Sequence, residues 1–207
     1  MRKLFRLGIV FTISSLILIG CSGITNDPAT TRAISTPANA NVAGTMTSSD
    51  TSRETQFSAF LTGYSYWDNT PPGSSAIARP VIHRRAGGTG TYQDPITIAV
   101  GHTIRGSRST MDFPAGTRFY FKGLRKYAIV EDLCGDGYQP QNGPCHTGFQ
   151  GNPWLDIYVD GAKSPRSASE QCMNSLTRVH NVVQNPGPDY PVVVGALTES
   201  GCQTFSG

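Results

Sequence analysis

The sequence predicts a mainly β domain, and a small closed barrel of about six strands with at most one short helix is favoured over a sandwich. Three observations support this fold class. Short apolar or alternating runs recur between Gly- and Pro-rich turns, these runs are rich in β-branched and aromatic residues, and helical spacing is confined to residues 167–184. About 150 residues follow the N-terminal region, which is enough for one domain with a sizeable core.

Residues 1–20 have the features of an export signal. MRKLFR is a cationic start, and LGIVFTISSLILIG is an apolar stretch too short for a stable membrane span. The end of this stretch, Leu18-Ile19-Gly20-Cys21, resembles the bacterial lipobox, which implies lipidation of Cys21 and a membrane anchor there. The alternative is an ordinary secretory signal with an incidental cysteine. By resemblance to sorted lipoproteins, Ser22 favours the outer membrane if the host is Gram-negative.

Residues 21–55 follow as a polar connection. They are rich in Ser, Thr, Ala, Asn and Pro and contain no aromatic residue, so they cannot bury a core. We expect a flexible tether between the lipidated cysteine and a folded domain over residues 56–207.

Six runs within the domain are predicted strands, and one segment is a predicted helix. The runs are FSAFLTGYSYW from Phe57, ITIAV (96–100), TRFYFK (117–122), KYAIVE (126–131), WLDIYV (154–159) and YPVVVGAL (190–197). The helix is expected over Ser167–Gln184, where SASE resembles a capping box.

The cysteines that remain after Cys21 are even in number, and an exported protein meets an oxidising compartment. Two disulfides are therefore expected among Cys134, Cys145, Cys172 and Cys202, and sequence allows three pairings. The pairing Cys134–Cys145 with Cys172–Cys202 is preferred because each bond closes a short, turn-rich loop.

The charge balance argues against nucleic acid as a partner. Arg2, Lys3 and Arg6 leave with the signal, so the 17 basic residues fall to the number of acidic ones, 14. A neutral exported chain lacks the excess of positive charge that nucleic-acid-binding proteins use to attract phosphate groups. AGGTGTYQD lacks the glycine and lysine spacing of nucleotide loops, and the oxidised cysteines do not suit zinc. No cofactor and no metal are expected, and the chain is expected to be a monomer.

Three aspartates end or interrupt strands beside aromatic residues: Asp68, Asp132 and Asp156. A carboxylate in an apolar run costs free energy unless it is paired, hydrogen-bonded or placed at a cleft. Two carboxyl groups facing each other across a groove are what glycoside cleavage needs. Structural alternatives exist: Asp68 could start a turn and Asp132 could be a buried hydrogen-bond acceptor. Asp156 lies on the strand face opposite Leu155 and Ile157.

These motifs also carry a family resemblance over most of residues 57–200. V-x-D-x-C at 130–134, followed by WLDIYV at 154–159, resembles the double-psi β-barrel signature of expansins, barwin-like proteins, family 45 endoglucanases and the rare lipoprotein A family. The opening YSYWD is similar to the Tyr-Trp-Asp strand of the endoglucanases. The resemblance implies a six-stranded double-psi β-barrel that acts on polysaccharide.

The resemblance also implies roles for single residues. Asp156 would match the general acid of the endoglucanases, Asp68 their base and Asp132 an aspartate that lines the cleft. Trp-Leu-Asp replaces the His-Phe-Asp of expansins and endoglucanases, and Asn69-Thr70 replaces the cysteines that follow Tyr-Trp-Asp in the endoglucanases. These departures affect the base role of Asp68 more than the acid role of Asp156.

Aromatic residues near these motifs are candidate sugar-binding residues, because sugar rings present apolar faces that stack on aromatic rings. The alternative is ordinary core packing. His83 could bind sugar or orient a carboxylate, but an ordinary surface role is the simpler interpretation for it. The candidate aromatic residues are Tyr64, Tyr66, Trp67, Tyr92 and Trp154.

Three functions follow as hypotheses. The first is an envelope enzyme that cleaves β-linked polysaccharide, peptidoglycan or glucan, with Asp156 as acid and either Asp68 as base or no base, as in lytic transglycosylases. The second is a non-catalytic, expansin-like binding or wall-loosening module. The third is an inert structural or inhibitor-like lipoprotein with a filled groove.

Overall fold

The computed structural model describes residues 53–206, so the predicted export signal, Cys21 and most of the tether lie outside the described residues. Six of its strands close into a barrel in the order β1-β7-β2-β6-β5-β8, and β3 and β4 form a separate hairpin. The strands are β1 Thr55–Tyr64, β2 Ile96–Val100, β3 His102–Arg105, β4 Arg108–Met111, β5 Arg118–Phe121, β6 Lys126–Leu133, β7 Trp154–Tyr158 and β8 Arg178–Gln184. The helices are α1 Pro144–Thr147 and α2 Arg166–Leu176, with a 3-10 turn at Pro140–Asn142.

Two of the barrel's strand pairs are parallel, β1 with β7 and β2 with β6. The other four pairs are antiparallel: β2 with β7, β5 with β6, β5 with β8 and β1 with β8. The expected mainly β barrel is therefore confirmed, and its closed six-stranded form is compatible with a double-psi barrel.

The hydrophobic core contains side chains from all six barrel strands. Leu155 and Ile157 of β7 are fully buried, as the alternation of WLDIYV predicts. α2 packs against β1 and buries Cys172 and Leu176. Within the described residues, no helix has the length and apolar character needed to cross a membrane.

The predictions for two segments were wrong. The helix ends at Leu176, and Arg178–Gln184 forms β8, the sixth barrel strand. RVHNVVQ buries His180, Val182 and Val183 against the barrel, and this tertiary packing overrides the helical spacing. The run 190–197 forms no strand. It lies across the barrel instead, where Lys126 Nζ donates to the carbonyls of Val193 and Gly195.

The preferred disulfide pairing is confirmed. Cys134 bonds to Cys145, and Cys172 bonds to Cys202. The first bond ties the end of β6 to α1, and the second ties α2 to the C-terminal segment. Both bonds hold segments outside the barrel strands against the barrel.

Candidate active site

A row of paired residues crosses four neighbouring strands and carries two of the predicted aspartates. Ala99 of β2 pairs with Asp132 of β6 on one side and with Asp156 of β7 on the other, and Asp156 pairs with Thr62 of β1. The register of β2 against β6 shifts just before Ala99; without this bulge Glu131 would stand opposite Ala99. Strands lie about 4.8 Å apart, so the backbones of Asp132 and Asp156 are about 10 Å apart.

All three predicted aspartates line one cleft of about 520 Å³, here called the aspartate cleft. Ala99 also lines it, and its small side chain leaves space between Asp132 and Asp156. Two loops form the walls, one over residues 68–78 and the other over residues 133–137. The cleft therefore combines carboxyl groups from three separate parts of the chain.

Asp156 is held by a directed chain of hydrogen bonds. The indole Nε1 of Trp154 donates to Thr62 Oγ1 at 2.8 Å, and Thr62 Oγ1 donates to Asp156 Oδ1 at 2.6 Å. An indole N–H can only donate, so the hydroxyl hydrogen of Thr62 is free for the carboxyl group. Oδ1 is thus an acceptor in this chain, and a proton carried by neutral Asp156 belongs on Oδ2.

The surroundings of Asp156 favour its neutral form. Burial raises the pKa of Asp156 from 3.8 to about 7; the hydrogen bond from Thr62 opposes this change, and the charges of Asp68 and Asp132 add to it. A carboxyl group with such a pKa can hold and release a proton near neutrality.

Asp132 serves as a buried acceptor in this cleft. Its Oδ1 accepts hydrogen bonds from the backbone N–H groups of Ala78 and Leu133, both at 2.9 Å, and its Oδ2 accepts one from the hydroxyl of Tyr64 at 3.0 Å. Burial raises its pKa, and these hydrogen bonds partly oppose the change. Asp132 thus ties the loop at Ala78 to β6. This is the buried-acceptor role that the sequence suggests as an alternative, and Asp132 also lines the cleft.

Asp68 does not end a strand, because β1 stops at Tyr64 and residues 66–68 form a turn. Its Oδ1 accepts hydrogen bonds from the backbone N–H and the hydroxyl of Ser65, at 2.7 and 2.6 Å. The residue is exposed at the rim of the cleft. The next residue, Asn69, fixes this wall by donating to the carbonyls of Ser74 and Ala76.

The candidate aromatic residues do not share one surface, and of these five only Tyr64 lines the aspartate cleft. Trp67 donates to the carbonyl of Gly161 and packs edge-on against Tyr66. Tyr92 packs on Tyr127 in a separate cluster and carries the guanidinium of Arg118 on its ring. Trp154 reaches the cleft only through its hydrogen bond to Thr62.

His83 lies outside the aspartate cleft in a network of acidic side chains. Its Nδ1 is 2.6 Å from Glu131 Oε2, and its Nε2 is 2.9 Å from Asp94 Oδ1. Glu131 is fully buried and also accepts hydrogen bonds from three backbone N–H groups, those of residues 81–83. His83 thus orients a carboxylate, which is one of the roles that the sequence suggests for it, but that carboxylate is Glu131 and not one of the three predicted aspartates.

Two cleft residues were not predicted. His102 is 5% exposed, and its Nδ1 is 3.3 Å from the carbonyl oxygen of Cys134. A carbonyl oxygen only accepts, so Nδ1 carries hydrogen and Nε2 of the neutral ring is an acceptor. Asp136 is exposed in the wall between Gly135 and Gly137. A signal for His102 existed, since this polar residue follows the buried strand ITIAV after one glycine.

The arrangement can supply a proton from Asp156 and can accept one at Asp68 or His102. These are the components of general acid–base catalysis. Among the described residues, no cluster of three or more His, Cys, Asp or Glu side chains has the arrangement of a metal site.

Comparisons with known proteins give one family. The profile of a family described as "DDB_G0273701 N-terminal domain" matches residues 56–204. The chain is 35% identical over 119 residues to a Dictyostelium discoideum protein described as "Uncharacterized protein DDB_G0273701/DDB_G0273221". That match covers 56% of this chain and 45% of the relative, so the chain spans about half the length of that relative. No solved structure matches.

Proposed function

The chain belongs to the DDB_G0273701 N-terminal domain family, and we propose that its barrel cleaves a β-linked polysaccharide with Asp156 as the general acid. One observation carries the proposal: a carboxyl group with a pKa of about 7 lines a cleft together with three further carboxyl groups, those of Asp68, Asp132 and Asp136. Glycosidic cleavage needs an acid that is still protonated near neutral pH to protonate the leaving oxygen.

The polysaccharide class comes from the resemblance of the Asp132 and Asp156 motifs to those of expansins, family 45 endoglucanases and the rare lipoprotein A family. The two parallel strand pairs of the closed barrel are compatible with that fold. The hydrogen bond from Thr62 also supports the acid role, because it occupies Oδ1 and leaves Oδ2 for the proton. Peptidoglycan and β-glucan are the two candidate substrates.

The second step distinguishes two reactions. Asp68, exposed at the rim, would activate water for inverting hydrolysis. Without a base, the hydroxyl group of the sugar itself would attack, as in lytic transglycosylases. Asp68→Asn separates the two: hydrolysis should slow by about a hundredfold or more, whereas a transglycosylase should keep most of its rate.

A non-catalytic, expansin-like module is the second candidate, and the contacts of Asp68 favour it. Two hydrogen bonds from Ser65 hold this carboxylate at the end of the turn over residues 66–68, a structural role that a base does not require. Such a module would bind polysaccharide at the same cleft and release no fragments.

For the rest of the chain, we propose an exported protein with a lipid anchor at Cys21 and no partner chain. The two disulfides are in keeping with an oxidising compartment. Outer-membrane placement follows only in a Gram-negative host. The intact mass of the mature protein and of Cys21→Ser would show whether lipid is attached.

The deciding experiment incubates the mature protein, with its disulfides formed, with peptidoglycan sacculi and with soluble β-glucans. Mass spectrometry then identifies the products of the wild type, of Asp156→Asn and of the control Asp189→Asn, an exposed carboxylate outside the aspartate cleft. Fragments lost only in Asp156→Asn support the enzyme; anhydro ends mark a transglycosylase and reducing ends mark hydrolysis. Binding without fragments would favour the expansin-like module.

A further inference from the structure

A second cleft of about 290 Å³ is lined in part by Trp154. Its other walls come from the segment after β4, from α1 and from the loop before β7. Gly101, which directly follows β2, lets Asp112 and Cys145 approach the strand closely. A Cβ at this position would collide with Asp112 Oδ2 and with the carbonyl of Cys145.

One side of this second cleft is aromatic. Trp154 packs edge-on against Phe60 with ring centroids 4.7 Å apart, so its ring is fixed in place. Phe113 also lines the cleft and packs on Phe119 at 5.1 Å. Fixed aromatic rings with polar groups beside them are the usual surroundings of a bound sugar ring.

The polar side is formed by His146 and Asp112. Nδ1 of His146 is 2.7 Å from Asp112 Oδ1. An ionised carboxylate only accepts, so Nδ1 carries hydrogen and Nε2 of the neutral ring is an acceptor. Hydroxyl groups are the natural donors to such a site. Among the residues that the structure describes, no Lys or Arg lines the cleft, and Asp112 would repel an anionic ligand.

The two clefts share structural elements. Trp154 lines the second cleft, and through Thr62 it holds Asp156, which lines the aspartate cleft. The disulfide has Cys134 on the aspartate cleft and Cys145 on the second. Trp154 and Asp156 lie on the same face of β7, about 7 Å apart along the strand, so a ligand that extends past Asp156 toward Trp154 approaches the second cleft.

We propose that the second cleft binds a neutral sugar unit of the same polysaccharide chain whose glycosidic bond lies at Asp156. The proposal rests on the proposed function. Trp154 stacks on the ring of this unit, and His146 and Asp112 accept hydrogen bonds from its hydroxyl groups. The site thereby gives the protein a preference for long chains over short ones.

The test measures binding by titration calorimetry, using two-unit and six-unit oligomers of β-1,4-linked glucose and of β-1,4-linked N-acetylglucosamine. The variants are His146→Gln and Asp112→Asn. Both residues are partly exposed, and each new side chain is similar in size to the one it replaces. Glu170→Gln on the outer face of α2 is the control. Loss of one hydrogen bond should weaken binding of the six-unit oligomer about three- to tenfold and leave the two-unit oligomer unchanged.

The outcomes separate this inference from the proposed function. If the wild type binds six units no better than two, or if both variants bind all oligomers like the wild type, the second site is overturned while the polysaccharide function stands. If the variants weaken both lengths equally, the residues do not form a separate site, which also overturns it. If the wild type binds none of the oligomers in either series, the polysaccharide function fails and the second site fails with it.

Discussion

Asp156 combines two properties that stability alone would not favour. It shares a cleft with the carboxyl groups of Asp68, Asp132 and Asp136, and burial raises its pKa from 3.8 to about 7. Each unit corresponds to about 1.4 kcal/mol of preference for the neutral form. Proteins accept such a cost mainly at functional sites, which is why this residue carries the proposed function.

The first prediction concerns the pH dependence of cleavage. The general acid must be protonated, so activity should be present below pH 7 and should fall above it, approaching tenfold per pH unit. The measurement is the initial rate of fragment release from sacculi or β-glucan between pH 4 and 9. An activity that rises through pH 7 would contradict the acid role.

The second prediction concerns stability at the same residue. For an acid whose pKa is raised in the fold, ionisation favours unfolding as pH increases from 3.8 to about 7. Asn cannot ionise and can still accept the hydrogen bond from Thr62, so Asp156→Asn should stabilise the protein by about 2–4 kcal/mol at pH 8 and by little at pH 4.

Thermal unfolding at both pH values measures this difference, with Asp189→Asn as the control. Destabilisation by Asp156→Asn at both pH values would mean that Asp156 is an ionised structural partner rather than a proton donor.

The β-bulge in the β2–β6 pair builds the aspartate cleft. Because of the bulge, Asp132 rather than Glu131 stands opposite Ala99, and Asp132 and Asp156 line the same cleft on either side of Ala99. Glu131 is left on the other face, where it is fully buried and hydrogen-bonded to the ring of His83. One extra residue in one strand thus separates a cleft carboxyl group from a structural one.

The third prediction follows from the position of Ala99 between the two aspartates. Ala99→Val suits a β-strand but adds two methyl groups to a residue that is 3% exposed in the cleft. We expect near-normal folding and a fall in polysaccharide binding of about tenfold or more, measured by sedimentation with insoluble polysaccharide. Ala128→Val on neighbouring β6, inside the core, is the contrasting variant: it should destabilise the fold without a direct effect on the cleft. Unchanged binding by Ala99→Val would place the ligand elsewhere.

Residues 81–83, which follow the 68–78 wall of the aspartate cleft, are held to the barrel by hydrogen bonds of their backbone N–H groups and of the His83 ring with Glu131. Burial by itself lowers the pKa of His83, but hydrogen bonds to Asp94 and Glu131 outweigh it and raise the pKa above 6.5. Burial raises the pKa of Glu131, but hydrogen bonds from His83 and Ile82 outweigh it and lower the pKa below 4.5. This attachment is therefore strongest when His83 is protonated and Glu131 is ionised.

The fourth prediction gives the pH range of that attachment. The contribution of His83 to stability should be complete below pH 6.5 and lost as pH rises through its raised pKa, and that of Glu131 should be lost as pH falls below 4.5. At pH 6, Glu131→Gln should cost about 3 kcal/mol. The amide nitrogen that replaces Oε2 cannot accept the hydrogen bonds from the His83 imidazolium and the Thr97 hydroxyl, whereas the remaining oxygen can still accept from the backbone N–H groups.

Urea unfolding between pH 4 and 8 measures this range in the wild type and in His83→Gln, with the partly exposed His146→Gln as the control. The difference between wild type and His83→Gln should shrink above pH 6.5. A constant difference over the whole range would refute the charged attachment.

Barrel closure leaves the folded domain without free edges among its six barrel strands, since each pairs with two neighbours. The disulfides act outside this ring of strands. Cys172–Cys202 ties α2 to the C-terminal segment, far along the chain from the cleft residues, whereas Cys134 and Cys145 line the two clefts. Cys172–Cys202 therefore serves stability, and Cys134–Cys145 serves both stability and the site.

The fifth prediction compares these bonds. Replacing Cys172 and Cys202 together by Ala should lower the free energy of unfolding by about 2–4 kcal/mol and leave activity at 25 °C nearly unchanged. Replacing Cys134 and Cys145 should also reduce activity, because the carbonyl of Cys134 positions His102 and the loop over 133–137 loses its tie. Unfolding curves and initial rates are the two measurements. Equal activity in both double variants would mean that the Cys134–Cys145 bond has no role in the site.

Much of the fold could be predicted from local patterns. Five of the six predicted strands exist, and the preferred disulfides formed, because alternation and short loop closure are properties of neighbouring residues. The C-terminal predictions failed for RVHNVVQ and PVVV. Both runs suit a strand, but only the first finds free partners, in β1 and β5, and these pairings depend on distant parts of the chain.

Three of the four carboxyl groups at the cleft could be named from the amino-acid sequence, because an acid in or beside an apolar strand has to be explained by a partner or a cleft; Asp136, in a glycine-rich loop, gave no such signal. Their grouping came from folding alone. Parallel pairing of β1 with β7 and of β2 with β6, together with one bulge, brings Asp68, Asp132 and Asp156 to one cleft and sends Glu131 to another face. A shift of one residue reverses every side chain of a strand, and strand register depends on long-range packing that no local pattern contains. For the same reason Trp67 and Tyr92 lie apart from the cleft, and His102 lies in it.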